Sequence, residues 1–385
     1  MAQLQPGPDP ETGGRRARAQ LQPESNPSDR RKARQGAVAE GILPTLGGVT
    51  DQPTLRDGEL VLRPWRLEDS EATRHLHDDE IARWFDFPTR APSPEEHRSW
   101  IERTGSEWAE QARATFLVEW RGRAAGSVDV RLQDQGVGVL SWVVYAPFRG
   151  RGLGWRAVRL LVEWSFDALD LQRVEAHVNP GNRASVRTAL RAGLRKEGLL
   201  RGNTTLAGVT QDTLVLGRRR GDAHPDSREG FTAMLDSTLP TKRAIAQGVL
   251  RSTSGEILLC ELVYKREWDL PGGVVDRDES PAACVVREVR EELDLTVTAG
   301  RLLAVNWLPP LLGWADATVF VFDLGTLDAE LVERGRLQQR EIRAVHWTGP
   351  ADWAGRVAPY NERLLTTLHR HTGDTLYLED GAPTA

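Results

Sequence analysis

Three glutamates set one helical turn apart, Glu288, Glu291 and Glu292, are the residues of this chain best spaced to do chemistry. On a helix, positions i, i+3 and i+4 share a face. Three carboxylates brought together there repel one another unless a divalent cation lies between them. Hard oxygen ligands of this kind suit Mg²⁺ or Mn²⁺, ions that bridge to substrate phosphates. The helix has its own signals: Ser280 fits the N-cap, Pro281 the first helical position, and Ala282, Val285, Val286 and Val289 an apolar face. Gly272, Gly273, Glu279 and Arg287 precede the acids at fixed intervals. An acidic run usually marks no more than a solvated helix face, but so many fixed positions argue for a site.

The stretch from Gly273 to Leu295 resembles the Nudix box, G-x5-E-x7-R-E-U-x-E-E-x-G-U, where U is apolar. It matches at Gly273, Glu279, Arg287, Glu288, Val289, Glu291, Glu292 and Leu295, after a family-like Trp268-Asp269-Leu270-Pro271-Gly272. It departs at Asp294, where the family has glycine; Asp tolerates a left-handed helix end better than most residues. The resemblance implies that Glu288, Glu291 and Glu292 ligate Mg²⁺ or Mn²⁺, which neutralises a diphosphate and activates water. Arg287 would orient a box carboxylate, Glu279 would brace the loop-to-helix junction, and Gly272 and Gly273 would allow the turn. The implied reaction is hydrolysis of a nucleoside diphosphate linked to X, a small-molecule nucleotide. A base outside the box is sought among Glu330, Glu333 and Glu341, which the sequence does not rank. Trp307 and Trp314, flanking Pro309-Pro310, are candidates to stack on a base, with core packing as the commoner role.

A second chemical feature lies at Arg149-Gly150-Arg151-Gly152-Leu153-Gly154. A strand ending at Tyr145 feeds this turn. An amphipathic helix follows, with apolar Ala157, Leu160, Leu161, Trp164, Ala168 and Leu169. Glycines let backbone approach a phosphate, and the free N–H groups of the helix start face the anion. The run R-x-x-G-x-G resembles the acetyl-CoA pyrophosphate loop of GNAT acetyltransferases. The segment from Arg173 through Asn182 to Arg201 is similar to the branch that acetylates ribosomal-protein N-termini and related amines. A dinucleotide fold is disfavoured because no acidic residue for a ribose ends a suitable second strand. By resemblance, Arg149 to Gly154 would hold the pyrophosphate of acetyl-CoA. The strand over 139–145 would splay from that over 174–178, and Asn182 would contact the cofactor arm and cap the next helix. The acceptor would be an amine, on a small molecule or a protein N-terminus, attacking the thioester directly. Two family positions are altered: the acid-bearing Tyr aligns with Ala189 and a Glu with Val139. His177, Ser141 and Ser185 are the nearby polar groups.

The chain has 385 residues, 39% of them apolar and 27% charged, with a net charge of −5. That is globular composition with no basic field to draw nucleic acid or anionic lipid, so neither partner is expected. Arg30-Arg31-Lys32-Ala33-Arg34 is a short basic cluster in a polar tail, where solvation is the ordinary role. No apolar run reaches membrane-spanning length and no signal-peptide core is present, so a cytoplasmic location is expected. Cys260 and Cys284 read as buried thiols in a reducing compartment. The rarity of Lys relative to Arg suggests GC-rich bacterial coding.

The expected fold is mixed α/β (α+β) in two domains, a GNAT fold followed by a Nudix α/β/α sandwich. The expected limits are a disordered tail over 1–52, the first domain over 55–221, a linker over 222–240, the second domain over 241–376 and a tail over 377–385. The linker carries a short helix at Phe231–Leu235, and one final helix spans Trp353–His369. A bifunctional enzyme is the leading reading. In a second, only the hydrolase turns over and the first half binds or senses acyl-CoA; in a third, the Nudix half is an inert binder, against which its intact glutamates argue. CoA, which contains a pyrophosphate, is a candidate hydrolase substrate.

Overall fold

The computed structural model describes residues 51–85, 88–329, 336–371 and 373–384. The tail expected over 1–52 therefore lies almost wholly outside the described residues, as do Glu330 and Glu333. The chain divides into two compact units, the second starting at Pro240.

The first unit runs β1 (Leu55–Asp57), β2 (Leu60–Pro64), α1 (Asp69–Thr73), α2 (Asp79–Phe85), α3 (Pro94–Ala109), β3 (Arg113–Trp120), β4 (Arg123–Gln133) and β5 (Val137–Val144). It continues with α4 (Leu153–Ala168), β6 (Arg173–Val178), α5 (Arg183–Arg191), β7 (Arg195–Leu206), β8 (Val209–Arg219) and α6 (Arg228–Thr238). One sheet of order β1-β2-β3-β4-β5-β6-β8-β7 organises it. Its ladders are antiparallel except between β5 and β6, which are joined through α4. Alternation along β4 sends Val128 and Val130 to the face covered by Ala157, Val158, Leu161 and Val162 of α4. Helix α3 starts where Ser93 and Glu96 form a reciprocal capping box ahead of Pro94.

The second unit runs β9 (Arg243–Arg251), β10 (Ile257–Leu262), β11 (Gly272–Val274), α7 (Pro281–Leu293), β12 (Leu302–Leu308) and β13 (Ala317–Thr326). Then come β14 (Ile342–Thr348), α8 (Pro350–Trp353), α9 (Pro359–Arg370), β15 (Leu376–Glu379) and β16 (Ala382–Pro383). The sheet order is β14-β10-β9-β13-β12-β15-β16, with β11 on β9. Both faces are apolar, and the period of two divides them. Ala246, Leu250, Leu258, Cys260, Phe322 and Leu324 pack with Val285 and Val289 of α7. Val249, Leu259, Val319 and Val321 pack with Leu364, Leu365 and Leu368 of α9. A sheet buried on both sides between helices is the expected α/β/α sandwich.

Three boundaries differ from expectation. Residues 222–239 fold onto the first unit: Ser227 caps α6, and Ser237 accepts a hydrogen bond from the Lys196 amide at 3.1 Å. The single helix expected over 353–369 is two, because Pro359 opens α9 after a break at Ala354–Ala358. Residues 377–383 are no tail. They complete β15 and β16, with β15 parallel to β12 and Leu378 fully buried. No helix among the described residues is long and apolar enough to cross a membrane.

Candidate active sites

In the first unit the β5–β6 ladder holds only Val137, Gly138 and Val139 against Arg173, Val174 and Glu175. Beyond this the two strands share no register, and a cavity of about 560 Å³ opens. Trp142, Val144, Gly150, Gly152, Gly154 and Asn182 are among its lining residues. Gly150 and Gly152 both have φ of 76°, in the left-handed region that favours glycine. Gly152 is the N-cap of α4, so the first turn from Leu153 begins at the cavity with amides that lack intrahelical partners. Leu153 itself is buried and anchors the turn. A Cβ on Gly154 would lie 3.3 Å from Val144 and 3.4 Å from Thr188, so glycine keeps α4 close to β5 and α5. Arg149 is turned to structural use: its Nε donates to the Val144 carbonyl at 2.9 Å and its guanidinium pairs with Asp78 at 2.7 Å. Arg151 lies over the Trp120 ring at 5.4 Å. Asn182 caps α5 by accepting from the Ser185 amide at 3.1 Å.

In the second unit β11 passes directly beneath α7. A Cβ on Gly272, whose φ is 140°, would meet the Ala246 carbonyl oxygen at 2.1 Å. One on Gly273 would meet the Glu288 carboxylate at 2.4 Å. Ser280 accepts from the Ala283 amide at 3.2 Å and starts α7. Asp294 ends it in a left-handed conformation, φ 56°, taking the geometry of the glycine it replaces. Arg287 grips Glu279 with two bonds of 2.9 Å, and donates to Glu288 at 2.9 Å and Glu291 at 3.3 Å. That grip, with the Asp276 amide, holds the Glu279 carboxyl down at about 2. Glu292 is 5% exposed and accepts the Gly272 amide at 3.2 Å. Burial first, then the neighbouring Glu288, Glu341 and Asp269, push its carboxyl up to about 8. Burial also raises Glu288. Among the described residues no three acidic, histidine or cysteine side chains already stand as a metal-holding group, since Arg287 draws Glu288 and Glu291 to itself.

A family model described as an acetyltransferase (GNAT) domain matches residues 59–195, and one described as a NUDIX domain matches residues 241–368. The chain carries a GNAT domain followed by a Nudix domain. The chain is 45% identical over 67 residues to the probable N-acetyltransferase YjcK of Bacillus subtilis (strain 168), a match covering 17% of this chain and 37% of that one. A MutT-like protein of Streptomyces ambofaciens is 34% identical over 71 residues, 18% of this chain and 46% of its own. These matches thus span less than half of either relative. RimJ of Mycobacterium smegmatis, solved with CoA-disulfide, is 20% identical, covers 48% of this chain and 93% of its own, and has a TM-score of 0.41.

The GNAT domain brings the glycine loop, Asn182 and Ser185 to one cavity, but neither His177 nor Ser141. Ala189 is fully buried in the core, so a side chain there would not face the cavity. Val139 is buried as well. His177 is tied to Glu175 at 3.0 Å and lines neither cavity described for this domain. Ser185 lines the groove, whereas Ser141 stands opposite Asp129 on the neighbouring strand.

Asp129 is a residue that sequence reasoning missed, because a lone acid in an alternating strand reads as solvent-facing. Burial pushes its carboxyl up to about 6 against the opposing pull of Arg113 and Arg131. A carboxyl raised in the fold leaves stability highest below its unfolded value near 3.8 and lowers it as pH climbs toward 6. The size is on the order of 3 kcal/mol. Asp129→Asn is therefore expected to stabilise the GNAT domain at pH 7 but little at pH 4. Urea melts of the CoA-sensitive transition at both pH values check this, and an equal effect at both would contradict it.

In the Nudix domain Glu341 and Asp269 are acids outside the box that the fold brings near it, Glu341 adding to the field on Glu288 and Glu292 and Asp269 to that on Glu292. Asp269 was also missed as a hub: it accepts from Gln247 at 2.8 Å, Lys265 at 2.5 Å and Asn361 at 2.6 Å. Cys284 is fully buried with its thiol against the Gly273 and Val274 carbonyls, a packing role. Trp307 donates to Asp316 at 3.2 Å, while Trp314 is 63% exposed under the Arg243 guanidinium.

Proposed function

We propose that the chain is a bifunctional enzyme. Its GNAT domain would transfer acetyl from acetyl-CoA to a primary amine, and its Nudix domain would cleave a nucleoside diphosphate linked to X with a divalent cation. One observation carries most weight: the buried Glu292 carboxylate has no cationic partner among the described residues, though Glu288 lies beside it. An uncompensated buried acid is costly in the metal-free fold and is relieved by a cation. Glu288, Glu291 and Glu292 would hold Mg²⁺ or Mn²⁺, with Glu291, exposed and only loosely paired, swinging in. The donor set is all oxygen and fits such an ion. When bound, the cation would neutralise the diphosphate and activate the attacking water. Arg287 and Glu279 would set the carboxylates; Glu341, whose charge acts on both Glu288 and Glu292, would take a proton. Trp314 offers an exposed ring for a base.

In the GNAT half the amides from Gly150 to Gly154 would receive the pyrophosphate, and the gap between β5 and β6 the pantetheine. The amine would attack the thioester carbonyl, forming the amide and releasing the CoA thiol. Two buried free thiols, Cys260 and Cys284, accord with a cytoplasmic setting. A second reading, an acyl-CoA sensor beside a working hydrolase, is favoured by the core position of Ala189, which leaves the thiolate without a tyrosine acid.

The test is Mg²⁺-dependent product release across nucleoside triphosphates, oxidised nucleotides, nucleotide sugars, dinucleotides and acetyl-CoA, with thiol release from acetyl-CoA followed on an amine panel. Turnover in both arms is expected. Tight CoA binding without transfer to any amine would favour the sensor; no hydrolysis by folded, metal-loaded protein would remove the Nudix reaction.

A further inference from the structure

A second cavity, of about 370 Å³, lies in the GNAT domain and shares Ile81 and Val143 with the glycine-loop groove. Its floor is the sheet face carrying Ser127, Val143 and Tyr145; its roof is the segment from α1 through α3. The volume suits a small molecule rather than a protein surface. Two features of its wall are built in advance. The first is aromatic. Trp100 is stacked on His97 at 5.7 Å with 6° between planes, and Trp65 braces both rings edge-on. His97 is fixed in turn by the Ser70 hydroxyl at 3.2 Å, and burial holds its pKa below the ordinary value, so this wall is uncharged near neutral pH.

The second feature is charge. Arg90 and Glu96 line the rim but satisfy each other through two bonds of 2.7 and 2.6 Å. That leaves Arg74 as the lining charge with the loosest pairing: Glu71 is 3.6 Å away and largely exposed, and the Arg74 Nε is buried with no hydrogen-bond partner. A half-buried guanidinium with donors to spare is suited to a carboxylate or phosphate. Glu96, held by Arg90, leaves no free carboxylate among the described lining residues to stabilise an ammonium. An amine entering there is thus favoured in its neutral, nucleophilic form.

We propose that this cavity is the acceptor site and that its substrate is a small aromatic molecule bearing a primary amine and an anionic group, the ring against Trp100 and the anion on Arg74. This rests on the acetyltransferase reading of the groove and adds what the amine must carry. The reaction balances with acetyl-CoA alone: the amine nitrogen forms the amide bond, the thioester C–S bond breaks, and the amine proton leaves with the CoA thiolate.

The test uses the full chain loaded with CoA and four probes, tryptophan, tryptophanamide, alanine and a tripeptide amide, followed by calorimetry and, with acetyl-CoA, by thiol release. Tryptophan is expected to bind at least tenfold more tightly than tryptophanamide, and alanine not at all. Arg74→Gln should erase the gap between tryptophan and its amide, Arg74→Lys should keep most of it, and Trp100→Leu should weaken both ring-bearing probes, with CoA affinity unchanged throughout. Equal affinity for tryptophan and its amide, or no binding of either to CoA-loaded protein, overturns the proposal. A tripeptide amide bound more tightly than tryptophan also overturns it, in favour of a protein N-terminus. Failure of CoA itself to bind ends the acetyltransferase reading and this inference together.

Discussion

Glu292→Gln is expected to abolish phosphate-product release by the Nudix domain, by at least roughly 100-fold, while making the metal-free protein more stable. The two effects have one origin. In the metal-free fold the Glu292 carboxyl is raised to about 8 by burial and by Glu288, Glu341 and Asp269. A group raised in this way lowers stability as pH rises from its unfolded value near 4.5 toward 8, by on the order of 3 kcal/mol at neutral pH. Glutamine keeps the shape and still accepts the Gly272 amide, but has no charge to desolvate. A variant that is simply misfolded would lose activity and stability together. Melts in chelator and in Mg²⁺ separate the cases. Wild type should gain stability from Mg²⁺, and the variant should start higher and gain little. If the variant retains hydrolysis, or gains as much from Mg²⁺ as wild type, Glu292 does not hold the ion.

What the sequence made legible was what has a period or a fixed spacing. The box helix could be placed because Ser280 and Pro281 define its start and Ala282, Val285, Val286 and Val289 its apolar side, whereas the burial of Glu288 and Glu292 came only with the fold. The left-handed end at Asp294 followed from the chemistry of one residue. The β7–β8 hairpin escaped because Arg195–Leu206 is mostly exposed and carries no alternation. Helix α3 escaped although Ser93 and Glu96 announce its start. Its core contacts, His97, Ile101, Thr104 and Trp108, include polar groups that a hydrophobic pattern passes over. Asp269 and Asp129 were silent for another reason. Their importance arises from partners far away in the chain, Asn361 for the first and Arg113 with Ser141 for the second, which only the fold assembles. The second cavity belongs with these: Arg74, His97, Trp100 and Tyr145 have no common motif.

Gly150→Asp should cost CoA at least roughly 100-fold in affinity, whereas Gly150→Asn should cost only a few-fold. Gly150 lines the groove with φ of 76°, and a Cβ there meets nothing within 4 Å. Asn and Asp are the non-glycine residues that best tolerate left-handed backbone, at a strain of roughly 1 kcal/mol, so both variants should fold. They differ by one charge. If the amides of this loop receive a pyrophosphate, the aspartate sits within a few ångströms of it, where like charges at a partly screened surface repel by several kcal/mol. Higher salt should recover part of the loss in the aspartate variant and leave the asparagine variant unmoved. The same pair separates the two readings of the GNAT half: an enzyme would lose acetyl transfer in step with CoA binding, and a sensor would lose binding with no transfer to lose. Equal effects of Asp and Asn would mean that the loop does not face the phosphates, and the groove would need another occupant.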